Sequence, residues 1–99
     1  MIHKSDILVI GGGIAGMSYA LRVANSGKGK VVLVCKTTLD EANTTKAQGG
    51  IASVTNLSID NFEKHITDTM VAGDFISDPQ AVEHVVRNAP QAISDLVGW

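Results

Sequence analysis

Three glycines near the start of the chain have the spacing of a phosphate-binding turn. Gly11, Gly13 and Gly16 form the pattern Gly-x-Gly-x-x-Gly, in which glycine permits a tight turn and a close approach of the backbone to an anion. A helix that begins at such a turn directs free N–H groups and about half a positive charge towards a phosphate. These glycines therefore predict a pyrophosphate site if a strand precedes them and a helix follows.

The segments on either side of the turn have the patterns of a strand, a helix and a second strand. The apolar run that ends at Ile10 predicts a strand buried on both faces, and the run from Lys30 to Cys35 predicts another. Between them, Gly27 is suited to end a helix. That helix has one apolar face, formed by Met17, Ala20, Leu21 and Ala24. The order predicts a βαβ unit with parallel strands, which opens a Rossmann-like α/β dinucleotide-binding fold.

The composition excludes several other classes of protein. A chain of 99 residues is one domain or part of one, and 44% hydrophobic with 18% charged residues excludes a disordered chain. A net charge of −2 without a basic cluster argues against a nucleic-acid partner. The single cysteine, the lack of a signal-peptide pattern and the lack of a run of about 20 apolar residues predict a cytoplasmic protein with no membrane partner.

A polar stretch follows the second predicted strand. An NAD-binding unit carries an acidic residue about 20 positions after its glycines, but that window holds Cys35 and Lys36, which disfavours an NAD site. The loop from Lys36 to Gly50 contains hydroxyls, amides and the Gly49-Gly50 pair. Such groups suit phosphate, ribitol and ring-nitrogen positions, although an ordinary polar connection has the same composition.

The first part of the remaining chain predicts a loop or strand and then a helix. Residues 51–59 form a short strand or a surface loop. Asp60 and Glu63 resemble a capping box ahead of a helix that ends at Gly73. His65 lies off the apolar stripe of this helix, which predicts a surface position.

A last helix is predicted after Asp78, which is a suitable N-cap for Pro79 at the first helical position. Pro90 lacks an N–H group, so we expect a break or kink there. His84 and the carboxylates of both predicted helices show no metal-ligand or acid–base pattern. We therefore expect both helices to contribute to packing and not to chemistry.

With both polar stretches in place, the sequence resembles the flavoprotein family of succinate dehydrogenase, fumarate reductase and L-aspartate oxidase. The motifs are Ile-Gly-Gly-Gly-Ile-Ala-Gly after a strand, Val-Cys-Lys at the next strand end, and Ala-Gln-Gly-Gly-Ile-Ala. The likeness continues through residues 65–74 and the Asn88-Ala-Pro segment, and covers residues 6–99. In this family a small residue and a lysine replace the ribose-binding acid, which accounts for Cys35 and Lys36. The resemblance implies an FAD cofactor.

One position separates the branches of this family. The membrane-complex dehydrogenases carry a histidine, four or five residues before the glutamine of Ala-Gln-Gly-Gly, that bonds covalently to the flavin. Here Asn43 lies five residues before Gln48, and no histidine occurs between Lys36 and Gly50. The resemblance therefore implies non-covalent FAD and favours the L-aspartate oxidase branch.

That branch implies an activity and a set of partners. Its members oxidise L-aspartate to iminoaspartate with oxygen or fumarate as acceptor, which supplies quinolinate and hence NAD synthesis. The implied partners are L-aspartate or another dicarboxylate as substrate, and quinolinate synthase. Residues 1–99 would be the N-terminal part of the FAD-binding domain, without the capping domain and without catalytic residues. Two alternatives stay open: a fumarate reductase or succinate dehydrogenase flavoprotein with non-covalent flavin, and a stand-alone nucleotide-binding module.

The resemblance also implies individual contacts with FAD. The glycine turn would hold the pyrophosphate, Lys36 would lie by the adenosine ribose, and the loop from Asn43 to Gly50 would follow the pyrophosphate, ribitol and flavin ring. Lys46 departs from the aromatic or small residues of the family and receives no role. The implied cofactor-binding residues are Gly11, Gly12, Gly13, Ile14, Ala15, Gly16, Lys36, Asn43, Thr44, Thr45, Ala47, Gln48, Gly49 and Gly50.

Overall fold

The boundary between Gly49 and Gly50 divides the chain into two units. The computed structural model describes all 99 residues, as a first unit, Met1–Gly49, and a second unit, Gly50–Trp99. The first unit contains β1 (Ile7–Ile10), α1 (Ile14–Ser26), β2 (Val31–Val34) and α2 (Asn43–Lys46). The second contains α3 (Phe62–Ala72) and α4 (Pro79–Gly98). No helix combines the length and the apolar character that crossing a bilayer requires.

The first unit is the predicted βαβ unit. Strands β1 and β2 pair in parallel, with Ile7 opposite Val31 and Ile10 opposite Val34. Helix α1 forms the crossover between them and ends at Gly27, which has the left-handed φ of 65° and donates its N–H to the Ala24 carbonyl at 3.1 Å. The predicted fold class is confirmed.

The prediction that both strands are buried on two faces is wrong. Val9 is 8% exposed, whereas its neighbours Leu8 and Ile10 are 57% and 81% exposed. Because side chains alternate between the faces of a strand, only the face that carries Val9 is covered. A parallel sheet is buried on both sides only when two layers cover it, and α1 supplies a single layer. The apolar face of α1 and residues of β2 together line an open groove on that side.

Helix α3 begins one residue later than the capping-box prediction required. Its N-cap is Asn61, whose side-chain oxygen accepts from the Lys64 N–H at 2.7 Å. The carboxylate of Asp60 accepts instead from the Asn61 N–H at 2.8 Å. Asp60 and Glu63 therefore do not form a capping box, because the adjacent asparagine occupies the capping position.

Helix α4 starts as predicted but does not break. Asp78 accepts from the N–H groups of Gln80 and Ala81 at 2.8 and 3.3 Å, and Pro79 occupies the first turn. The helix then continues through Pro90 to Gly98, over 20 residues. Proline removes one intrahelical hydrogen bond, and the 19 other residues of the helix keep their helical conformation around it. The expected break is therefore wrong, whereas a kink at Pro90 stays a prediction.

Arg87 links α4 to α3 in the second unit. Its Nε donates to Glu83 at 2.7 Å and its Nη2 donates to Glu63 at 3.0 Å, while the guanidinium carbon lies 5.4 Å from the centre of the Phe62 ring. A hydrogen bond from its own backbone and a hydrogen bond from the Arg87 guanidinium lower the pKa of the Glu63 carboxyl. These contacts hold the two helices together at their exposed side.

The remaining parts of the second unit resolve two open expectations. Residues 51–59 form a loop with a turn, in which the N–H groups of Ile59 and Asp60 donate to the Asn56 carbonyl, and no strand is present. His65 is half-buried and lines two cavities of this unit, so the predicted surface position is wrong. His65 thus lies at the edge of the covered face of α3 and not on its solvent-exposed face.

Candidate functional site

The turn after β1 requires glycine at two of its three motif positions. Gly11 has a φ of +112°, a conformation in which a side chain would be strained, and its N–H continues the sheet by donating to the Val34 carbonyl at 2.8 Å. A Cβ at Gly16 would clash with the Gly11 carbonyl oxygen and contact Val9 at 3.3 Å. Glycine at these positions allows α1 to start directly against the strand.

The N-terminus of α1 presents unused hydrogen-bond donors. Its N-cap is Gly13, which has no side chain to cap the helix, and the first turn contains no acidic residue. Ile14 donates its N–H to the Thr44 Oγ1 at 3.1 Å. The neighbouring N–H groups donate to no other group of the chain; they belong to Gly12, Gly13, Ala15 and Gly16. A helix end with free donors and a positive dipole is suited to an anion.

A cleft of about 330 Å³ lies in front of this turn. Its walls are the turn itself and the segment that follows β2. The lining residues are Gly11, Gly12, Gly13, Cys35, Lys36, Thr37, Thr38, Glu41, Ala42, Asn43 and Thr44. Among the residues implied by the resemblance, the cleft brings together Gly11, Gly12, Gly13, Lys36, Asn43 and Thr44.

The other implied residues do not line this cleft. Ile14, Ala15 and Gly16 form the first turn of α1 directly behind it, and Thr45 lies within α2. Residues 47–49 follow α2 at the end of the first unit, and Gly50 is the first residue of the second unit. Their contact with a cofactor stays a prediction.

Helix α2 is the part of the site that the sequence did not predict. Its four residues were expected to be loop, yet the N–H groups of Thr45 and Lys46 donate to the Ala42 carbonyl at 3.1 and 3.2 Å. The helix places the Thr44 hydroxyl against α1, about 3.6 Å from the position of a Cβ on Gly13. The hydroxyl of Thr44 therefore connects the two walls of the cleft.

Sequence reasoning also missed three polar residues on the cleft wall. Thr37, Thr38 and Glu41 follow β2, where open α/β sheets bind ligands. Their position after β2 could have predicted this role, because all three lie in the polar stretch from Lys36 to Gly50. The Thr38 hydroxyl donates to Asp40, and this hydrogen bond lowers the pKa of the Asp40 carboxyl.

The charges at the cleft are balanced by a nearby ion pair. Lys36 and Glu41 both line the cleft, and the Glu41 carboxylate accepts from Lys46 Nζ at 2.9 Å. The cleft thus combines free backbone N–H groups, a cationic side chain and the hydroxyls of its wall. This donor set and this volume fit the pyrophosphate region of a dinucleotide.

Comparison with known proteins identifies the family to which the chain belongs. Residues 6–99 match the family model described as an FAD binding domain. The chain therefore belongs to that family of FAD-binding domains.

Individual relatives narrow the class. The chain is 43% identical over 95 residues to an L-aspartate oxidase of Vibrio cholerae. The aligned region covers 96% of this chain and 17% of that protein. It is 41% identical over 92 residues to a chloroplastic L-aspartate oxidase of Arabidopsis thaliana. That alignment covers 93% of this chain and 14% of that protein. These matches confirm the resemblance predicted from the three motifs. The chain spans less than a fifth of the length of these relatives.

A solved structure supports the fold. A mutated FrdA chain of E. coli quinol fumarate reductase superimposes with a TM-score of 0.85 and 30% identity, over 98% of this chain and 17% of that one. The parallel βαβ unit and the helices after it thus match part of a solved fumarate reductase chain.

Proposed function

We propose that this chain forms the adenosine diphosphate-binding part of a non-covalent FAD site in an L-aspartate oxidase. The observation that carries the proposal is the cleft in which the uncapped N-terminus of α1 faces the wall from Cys35 to Thr44. Identity of about 40% to L-aspartate oxidases over nearly the whole chain supports the choice of branch. Under this proposal residues 1–99 carry cofactor binding and no catalytic residue.

The residues of the first unit would bind and orient the cofactor. The free N–H groups at Gly12, Gly13 and Ala15 would donate hydrogen bonds to the phosphate oxygens. Lys36 at the strand end would lie beside the adenosine ribose, where its charge also attracts the diphosphate. Bound FAD supplies the hydride-accepting chemistry, so these residues act by position and electrostatics.

The flavin would be held without a covalent bond. Asn43 occupies the wall of the cleft, and no histidine is present between Lys36 and Gly50. An asparagine amide is not a nucleophile that could form such a bond at neutral pH. Non-covalent contacts along residues 43–50 would therefore carry the binding energy of the ribitol and flavin portions.

The reaction assigned to the whole protein is the oxidation of L-aspartate to iminoaspartate, with oxygen or fumarate as electron acceptor. The product would pass to quinolinate synthase on the route to NAD. This assignment rests on the names of the relatives in several organisms. A second candidate, a fumarate reductase-type flavoprotein with non-covalent flavin, is favoured by the superposition on the E. coli fumarate reductase chain. In the whole protein, reduction of the bound flavin by L-aspartate and not by succinate would select the L-aspartate oxidase.

The binding site itself can be tested on the 99-residue chain labelled with nitrogen-15. Titration with FAD should shift the backbone amide signals of Gly12, Gly13 and Ala15 and leave those of the α4 residues near Gly98 unchanged. Acid precipitation of the loaded chain should then release the flavin into the supernatant. The absence of shifts at the turn would contradict the proposed site, and flavin that stays in the acid pellet would contradict non-covalent binding.

A further inference from the structure

Lys46 and Glu41 are charged residues at or beside the cleft whose role the family resemblance does not explain. Lys46 stands where the family has aromatic or small residues, and Glu41 places a carboxylate on the wall of a cleft that otherwise offers donors to an anion. An unbalanced carboxylate at this position would repel a diphosphate. Lys36 lines the same cleft, but a feature that holds the Glu41 carboxylate itself would further favour an anion there.

The structure contains that feature in a single ion pair. Lys46 is the last residue of α2, and Glu41 precedes the N-cap of the same helix. The helical turn between them brings Lys46 Nζ to 2.9 Å from Glu41 Oε2. The two side chains are 66% and 54% exposed, and ion pairs as exposed as this contribute little to stability. The pair therefore adds little to the stability of the fold.

We propose that Lys46 is a positioning residue that holds the Glu41 carboxylate in their ion pair, so that the cleft accepts an anionic cofactor. This inference rests on the proposed FAD site. Lys46 does not line the cleft, so it acts through Glu41 and not by contact with the diphosphate. Its effect on binding should accordingly depend on the presence of the Glu41 charge.

A double-mutant cycle separates this role from direct attraction. The variants are Lys46→Met, Glu41→Gln and the combination, with FAD affinity measured by fluorescence quenching and inorganic pyrophosphate affinity by amide shifts at Gly12. Lys28→Met is the matched control, because it removes an exposed lysine from the loop between α1 and β2 and changes the net charge equally.

We expect Lys46→Met to weaken binding of both ligands about threefold to tenfold at low salt, and Lys28→Met to have little effect. In the Glu41→Gln background the Lys46→Met change should have almost no effect. At 1 M salt, where the Debye length is about 3 Å, the difference should largely disappear.

Three results would overturn the inference in distinguishable ways. Equal weakening by Lys46→Met with and without Glu41 would show direct attraction by the lysine. Wild-type affinity in Lys46→Met would show that the pair does not serve the cleft. If neither FAD nor pyrophosphate shifts the amides of the wild-type turn, the proposed FAD site and this inference both fail. Thermal unfolding of every variant checks that the fold is retained.

Discussion

The N-termini of α1 and α4 solve the same physical problem in opposite ways. Each begins with N–H groups that have no partner within the helix. In α4, Asp78 accepts from Gln80 and Ala81, so the helix is capped by its own neighbour in sequence. In α1, Gly13 offers no side chain, and the only N–H that is taken, that of Ile14, goes to Thr44 thirty residues away.

This difference separates a helix that serves the fold from one that serves a ligand. A local cap such as Asp78 stabilises a helix by roughly 1 kcal/mol. Helix α1 lacks that stabilisation and keeps four N–H groups of the turn available to an external anion.

Gly16→Ala should have the largest effect, because it removes the space that lets α1 begin against β1. The new Cβ would clash with the Gly11 carbonyl, and this oxygen belongs to the backbone and cannot move without distorting the turn. We expect a loss of about 2 kcal/mol or more in the free energy of unfolding, together with loss of FAD binding. Urea unfolding followed by circular dichroism measures the first effect.

The control for this change is Gly98→Ala, since a Cβ at Gly98 meets open space. This variant should unfold within about 0.5 kcal/mol of the wild type, as is usual for surface substitutions. Equal losses in both variants would show that glycine content, and not the close approach of α1 to the strand, sets the stability.

Gly13→Asp should convert the N-terminus of α1 into one like that of α4. Gly13 has φ −76° and ψ 178°, which any residue adopts, and its Cβ would lie 3.6 Å from Thr44 Oγ1, an ordinary contact. The new carboxylate can accept from Ala15 and Gly16, so the chain without ligand should gain about 0.5–1 kcal/mol of stability. FAD affinity should fall about tenfold or more, because a negative charge occupies the phosphate position.

The reverse change at the other helix completes this test. Asp78→Ala should lower the free energy of unfolding by about 1 kcal/mol and leave FAD binding unchanged. Tighter FAD binding by Gly13→Asp would contradict the view that the free donors of α1 are reserved for an anion.

The features that the sequence predicted are those that depend on neighbouring residues. The glycine spacing, the left-handed Gly27 and the Asp78-Pro79 start each depend on interactions within a few positions, and all three are confirmed. The Asn61 cap was missed because two adjacent residues could each have capped α3, and propensity does not choose between them. The unbroken helix at Pro90 shows that the rest of a long helix can outweigh a local penalty.

The site was less predictable because its walls are distant in sequence. Nothing in the Lys36–Gly50 loop indicates that four of its residues form α2, or that Thr44 reaches Ile14. The exposure of Leu8 and Ile10 was also missed, since burial depends on the layers that cover a strand and not on the strand's own composition.

Thr44→Val tests the long-range contact on which the cleft depends. Valine keeps the branched shape but cannot accept the Ile14 N–H, which loses a hydrogen bond of about 0.5–1.5 kcal/mol. We expect faster amide exchange at Ile14 and FAD affinity reduced several-fold. Thr44→Ser retains the hydroxyl and should restore both values. Unchanged exchange at Ile14 in Thr44→Val would contradict the contact.

The smallest expected effect lies in the second unit, where the ion pair of Glu63 and Arg87 is exposed and does not line the proposed anion site. A hydrogen bond from its own backbone and the Arg87 guanidinium hold the pKa of Glu63 below its ordinary value of 4.5. A carboxyl with a lowered pKa in the folded state stabilises the protein above its unfolded pKa, and this contribution is lost as the pH falls through the folded value. Thermal unfolding of Glu63→Gln should therefore differ slightly from the wild type near pH 7 and converge with it as the pH falls below about 4. FAD affinity should be the same in both proteins, because the charges of the second unit serve its fold. A difference in thermal unfolding that persists in acid would show instead that Glu63 stabilises α3 by packing.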